Sequence, residues 1–156
     1  MARPALAVAA LLLAGTVLGL EVPPAPHRFF TDYTGRVERG SLAAVESRLA
    51  GIEAGSGHQA MAVLFESLEG EALEDFTVRC AQAWKAGRKG IDDGVIFFAF
   101  LAERRMRLEV GYGLEEKIPD AIASRLLREA VKPAFARGDL AGGVAALAAS
   151  LELIFR

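Results

Sequence analysis

Seven residues constrain the architecture more than any others. Val95 to Leu101 reads Val-Ile-Phe-Phe-Ala-Phe-Leu, with no polar side chain. Successive side chains on a strand point to opposite faces, so an uninterrupted apolar run of this length reads as a central strand covered on both sides. Gln59 to Phe65 is a second buried strand, bounded by Gly57 and the Ser67 to Gly70 turn. Arg105 to Val110 alternates instead. Met106, Leu108 and Val110 face in and Arg105, Arg107 and Glu109 face out, the pattern of an antiparallel edge strand.

The helices that cover such a sheet are also legible. Ser41 caps a predicted helix to about Ala54, with Leu42, Val45, Leu49 and Ile52 on one stripe. A second helix spans Glu71 to Trp84, its stripe being Leu73, Phe76, Cys80, Ala83 and Trp84. A third starts near Pro119, buries Ile122, Leu126, Leu127 and Ala130, and closes at Pro133. A fourth runs from about Asp139 to Phe155. The strand-helix-strand unit demands a parallel pair with a right-handed crossover. The expected fold is α/β: a three-layer α/β/α sandwich around a mixed, mostly short sheet. Cys80, the single cysteine, excludes an internal disulfide and reads as a small buried hydrophobe.

The N-terminus carries a targeting pattern. Arg3 precedes an uncharged apolar stretch, Ala5 to Leu18. Val17 and Gly19 then offer small residues at a cut, and Pro23, Pro24 and Pro26 break any helix. Residues 1–20 read as a signal peptide, 21–35 as an extended N-terminal linker and 36–156 as one domain. An uncleaved anchor is the alternative, although the run is short for a full span. The protein is expected to be exported, periplasmic or secreted, with no transmembrane segment beyond the signal sequence. Without residues 1–20, 17 basic residues stand against 20 acidic ones. No basic run dominates, so nucleic acid is not an expected partner.

The loops carry further motifs: Val22-Pro23-Pro24, Asp32-Tyr33-Thr34-Gly35, Trp84 with Gly87-Arg88-Lys89-Gly90, Asp92-Asp93-Gly94-Val95, Glu109-Val110-Gly111-Tyr112-Gly113-Leu114-Glu115 and Pro119-Asp120-Ala121. At this spacing, from Val22 to the C-terminus, the chain resembles the TPM domain family of bacterial envelope proteins and plastid thylakoid repair proteins. Asp93 stands where that family usually has Asn, and Arg36-Val37-Glu38 replaces a more apolar lead into the first helix. The resemblance implies the same three-layer sandwich, binding of a divalent cation such as Ca²⁺, a proposed acid phosphatase activity, and a role in maintaining or assembling a membrane or envelope protein complex.

The residues agree in part. Asp92 and Asp93 precede the central strand and Glu115 follows its antiparallel partner, so both, with Asp120 at a helix start, are expected at one edge of the sheet. Carboxylates and backbone carbonyls suit Ca²⁺ or Mg²⁺, and Gly94, Gly111 and Gly113 would let carbonyls turn inward. The same residues are compatible with a plain turn and a dipole-favoured helix start. Asp32 joins the metal set only because it matches the family pattern; topology puts it near the opposite edge. Arg88 and Lys89 are candidate phosphate ligands, or simply a solvated basic loop. No P-loop, G-x-S-x-G elbow or third glycine for a dinucleotide fingerprint is present. Ser56 and His58 lack an evident acidic orienter. With no recognisable nucleophile, a cation-binding domain that supports an envelope complex is the leading expectation. The alternative is a metal-dependent phosphatase acting on phosphomonoesters.

Overall fold

A computed structural model of the chain describes residues 19–156. The apolar run read as part of a signal peptide lies outside the described residues. Four strands form one sheet in the order β1-β2-β3-β4: β1 (Phe30–Asp32), β2 (Gln59–Phe65), β3 (Gly94–Phe100) and β4 (Arg105–Val110). β1, β2 and β3 are parallel, and β4 returns antiparallel to β3. The end where β3 begins and β4 finishes is the base; the end carrying the β3–β4 turn is the top.

All seven residues of β3 are buried, as its apolar run requires. Val95, Phe97 and Ala99 enter a core with α1 (Arg39–Ser56) and α5 (Leu140–Ile154). Ile96, Phe98 and Phe100 enter a second core with α2 (Leu73–Trp84). Each fully buried Phe contributes roughly 1.5–3 kcal/mol, so this strand ties both helical layers to the sheet. The mixed sheet and the three layers are those expected. Cys80 is fully buried in the α2 core, and burial pushes its thiol up to about 12.

Several local expectations are corrected. Residues 21–35 are extended, yet they are not only a linker, because β1 lies within them and pairs with Ala62 to Leu64. Helix α1 begins earlier than Ser41: the Glu38 carboxylate caps it by accepting from the Gly40 and Ser41 N–H groups. On α2, Thr77 takes the inward place assigned to Ala83, which is exposed. Pro133 does not close the third helix. The helical path continues from α3 (Asp120–Leu126) through a π-helical turn (Leu127–Val131) into α4 (Lys132–Ala136), where Pro133 sits in the first turn. Proline lacks the N–H an ordinary helical bond needs, and the wider turn before it accommodates that loss. Among the described residues, no helix is long and apolar enough to cross a membrane.

Candidate functional site

At the base, the loop from Lys85 to Asp93 meets the segment Gly111 to Glu115, which winds into a 3₁₀ turn at Tyr112–Leu114. Backbone bonds lock the two together: Gly111 N–H donates to Gly94 O at 2.8 Å and Gly113 N–H to Asp92 O at 3.1 Å. The Gly87 N–H donates to the Gln59 side chain at the start of β2, at 2.8 Å. A Cβ on Gly111 would lie 2.0 Å from Asp92 O, and one on Gly113 would lie 2.1 Å from Ile91 O. These glycines therefore serve close backbone approach. They do not serve unusual dihedrals, since neither they nor Gly94 has a positive φ.

The carboxylates separate by role. Asp93 has no exposed surface. Its oxygens accept from the Arg88 N–H at 2.7 Å and Arg88 Nε at 2.7 Å, with Arg88 Nη2 at 2.5 Å and His58 Nδ1 at 3.1 Å. Burial alone raises its pKa, but the bonds from Arg88 and His58 outweigh it and hold the carboxyl well below the usual range. The His58 ring packs in turn on Phe155, centroids 4.9 Å apart. Asp92, by contrast, is exposed, with its backbone in the left-handed region (φ 51°). Glu115 and Asp120 are exposed as well. None of these three carboxylates has a side-chain hydrogen bond or ion pair among the described residues. Asp120 occupies the first turn of α3, where the helix dipole favours a negative charge.

Asp32 lies at the other end of the sheet, on the top side of β1. It accepts from the Thr34 N–H and hydroxyl and from the Val37 N–H, at 2.6–2.9 Å, and so fastens the lead into α1. Burial raises its pKa, and those bonds lower it by more. The expected set is thus dispersed: Asp93 is spent on an internal ion pair and Asp32 on its own loop. Among the described residues, no three His, Cys, Asp or Glu are grouped to hold a metal ion. Ca²⁺ takes roughly six to eight oxygens, and Mg²⁺ about six, several of them water. Asp93 and Asp32 thus leave the expected set, and Asp92 and Glu115 remain at the base as exposed carboxylates without a side-chain partner among the described residues.

A cleft of about 670 Å³ opens beside the loops, lined among others by Gln82, Lys85, Lys89, Asp92, Glu109 and Tyr112. Arg88 also borders it, but its guanidinium is bonded to Asp93. Lys85 and Lys89 are the ammonium groups at the cleft, whereas Glu109 is held by Thr77 at 2.7 Å and Arg107 at 2.5 Å. The TPM domain family matches residues 30–153 of this sequence. The chain belongs to the TPM domain family.

Solved structures agree with that fold. The N-terminal domain of a P. gingivalis protein is 29% identical, with a TM-score of 0.74 over 81% of each chain. The N-terminal domain of a Corynebacterium glutamicum protein is 22% identical, with a TM-score of 0.67 over 89% of this chain and 88% of that one. The BA42 protein of the psychrophilic bacterium Bizionia argentinensis is 12% identical, with a TM-score of 0.67 over 76% of this chain and 81% of that one. No curated protein matches the sequence.

Two features of this TPM domain's base were missed in the sequence. His58 has its acidic partner in Asp93, 35 residues later, while the Ser56 hydroxyl donates to Ile52 O and accepts from the His58 N–H. The serine is a helix-end device and does not face the imidazole. The second feature is display: Ile91 is 47% exposed and Tyr112 80%. Tyr112 lies within a segment singled out by motif and Ile91 between two such segments, but no motif gives the direction of a side chain.

Proposed function

We propose that this TPM domain is an exported binding module that holds a protein partner of a membrane or envelope complex on its base loops. The observation that carries the reading is the display of Ile91 and Tyr112 on two loops whose backbones pack too closely for any side chain between them. An aromatic group on a rigid support sacrifices little freedom when covered, which is the character of an interface hot spot. The signal pattern of residues 1–20 supports action outside the cytoplasm. A photoreactive residue at position 112, introduced in cells, tests this reading. A discrete crosslinked species is expected there, absent from a control at Leu153 on α5, and lost with Ile91→Asp. Equal crosslinking at both positions would contradict it.

A divalent cation, Ca²⁺ or Mg²⁺, at the same loops is a second reading. It is favoured by Asp92 and Glu115, which flank the Tyr112 turn with no partner among the described residues. The thermal melt of the full chain, in chelator and then in Ca²⁺ or Mg²⁺, tests it. A ligand bound only by the folded state adds about 2.7 kcal/mol at a hundredfold excess over its dissociation constant. An upward shift that vanishes in Asp92→Ala supports this reading; no shift with either ion rejects it. Phosphomonoester hydrolysis rests on that cation. Its support is Lys85 and Lys89 at the cleft, and its test is turnover lost both on chelation and in Asp92→Ala.

A further inference from the structure

The top of the sheet has a cavity of its own. It measures about 570 Å³, within the usual range of ligand sites. Its charged lining is entirely basic: Arg36, Arg104, Arg105 and Lys132. Beneath them lie half-buried apolar side chains, Met106, Phe135 and Leu140, continuous with the α1–α5 core. Two of the cations are already compensated. Arg36 pairs with Glu66 at 2.5 Å, and Arg105 reaches Glu74 at 3.7 Å. The neighbouring Glu103 is committed to the Ser67 hydroxyl and the Leu68 N–H, at 2.7 and 3.0 Å. Arg104 and Lys132 have no carboxylate within 4.0 Å among the described residues, and residues 1–18 contain no Asp or Glu.

The same end is where the chain enters the domain. The Leu20 N–H donates to Glu71 at 2.7 Å, just ahead of α2, and Arg79 donates to Leu20 O at 3.1 Å. The ion pair between Glu74 in the first turn of α2 and Arg105 at the start of β4 puts both features at the top. Leu20, where the described chain meets the domain, therefore lies at the same end of the sheet as the unpaired cations, on its α2 side.

We propose that the top cavity is a docking site for the phosphate headgroup of an anionic membrane lipid, with Arg104 and Lys132 on the phosphate and the Met106–Phe135–Leu140 floor against the apolar part. Cations above an apolar floor match an amphiphilic anion, and a free phosphate would leave that floor uncovered. A basic side chain near an anionic surface strengthens binding roughly fivefold, an attraction that salt screens. The site is separate from the base loops and does not depend on the role assigned to them.

The test is flotation of the full chain with phosphatidylcholine vesicles, with and without phosphatidylglycerol. The difference between the two isolates the headgroup from any contribution of the apolar run. Arg104→Glu with Lys132→Glu is expected to lower the phosphatidylglycerol-dependent binding roughly tenfold or more, while the same reversal at exposed positions toward the base, Lys117→Glu with Arg125→Glu, changes it much less. Arg104→Gln with Lys132→Gln, which only neutralises, should give the same order of loss should the reversal impair folding. Binding that survives the top variants, or falls equally in the base variant, overturns the proposal. So does displacement by millimolar inorganic phosphate, which would assign the cations to a soluble anion.

Discussion

The two ends of the sheet treat charge in opposite ways. At the base, a buried carboxylate gathers its neighbours: Arg88, itself half exposed, and His58 converge on Asp93, beside two glycine-bearing segments packed backbone to backbone. At the top, Arg104 and Lys132 face outward without a partner among the described residues. Removing a buried carboxylate is costly because the groups that donate to it, here the Arg88 N–H and the His58 ring, lose their acceptor, although the Arg88 guanidinium itself is half exposed. An exposed cation adds almost nothing to stability and is left available for a ligand. Charge is thus spent on folding at one end and held ready at the other.

Substitutions can break or sharpen this contrast. The largest effect is expected from Asp93→Ala, which strands the Arg88 N–H and the His58 ring. It should cost about 3 kcal/mol in urea unfolding. Gly111→Ala comes next, at about 2 kcal/mol, because its Cβ would press on Asp92 O. Normal stability in Gly111→Ala would mean that the loops yield and are no rigid support.

Acid should weaken the base through Asp93, as it weakens the Asp32 loop at the top, and the Asp93 part can be isolated. The Asp93 carboxyl is depressed in the folded state, so its contribution is complete above the unfolded value of about 3.9 and is lost as pH falls below it. Between about pH 5 and pH 2 the wild type should lose more stability than Asp93→Ala, measured as unfolding midpoints. Parallel curves would remove Asp93 from this role. The smallest effect belongs to the top: Arg104→Gln and Lys132→Gln should stay within about 0.5 kcal/mol of wild type. A larger loss would make these side chains structural and weaken the case for a docking site.

The legibility of the fold followed the length of each signal. β3 declared itself through the apolar run Val95–Leu101, six residues of which it contains, and β4 through strict alternation. β1, only Phe-Thr-Asp, is too short to show a period, although its Phe30 is fully buried. Pro133 read as a stop because the sequence does not reveal that a π-helical turn precedes it. Topology correctly brought Asp92 and Asp93 to the base and left Asp32 at the far end. The opposite fates of Asp92 and Asp93 were not readable. Neighbours in sequence, they differ by a left-handed residue that sends one carboxylate to water and the other into the protein. The pairing of Asp93 with His58 crosses 35 residues, and no local pattern encodes it.

The central claim is that Asp93 closes the base as an internal ion-pair partner and does not ligate a cation. The most direct test is chemical unfolding of wild type and Asp93→Asn, each in chelator and in excess Ca²⁺. The prediction is a deficit of a few kcal/mol in Asp93→Asn, equal in the two conditions. A deficit that appears only with Ca²⁺ present would contradict the claim and return Asp93 to a metal site.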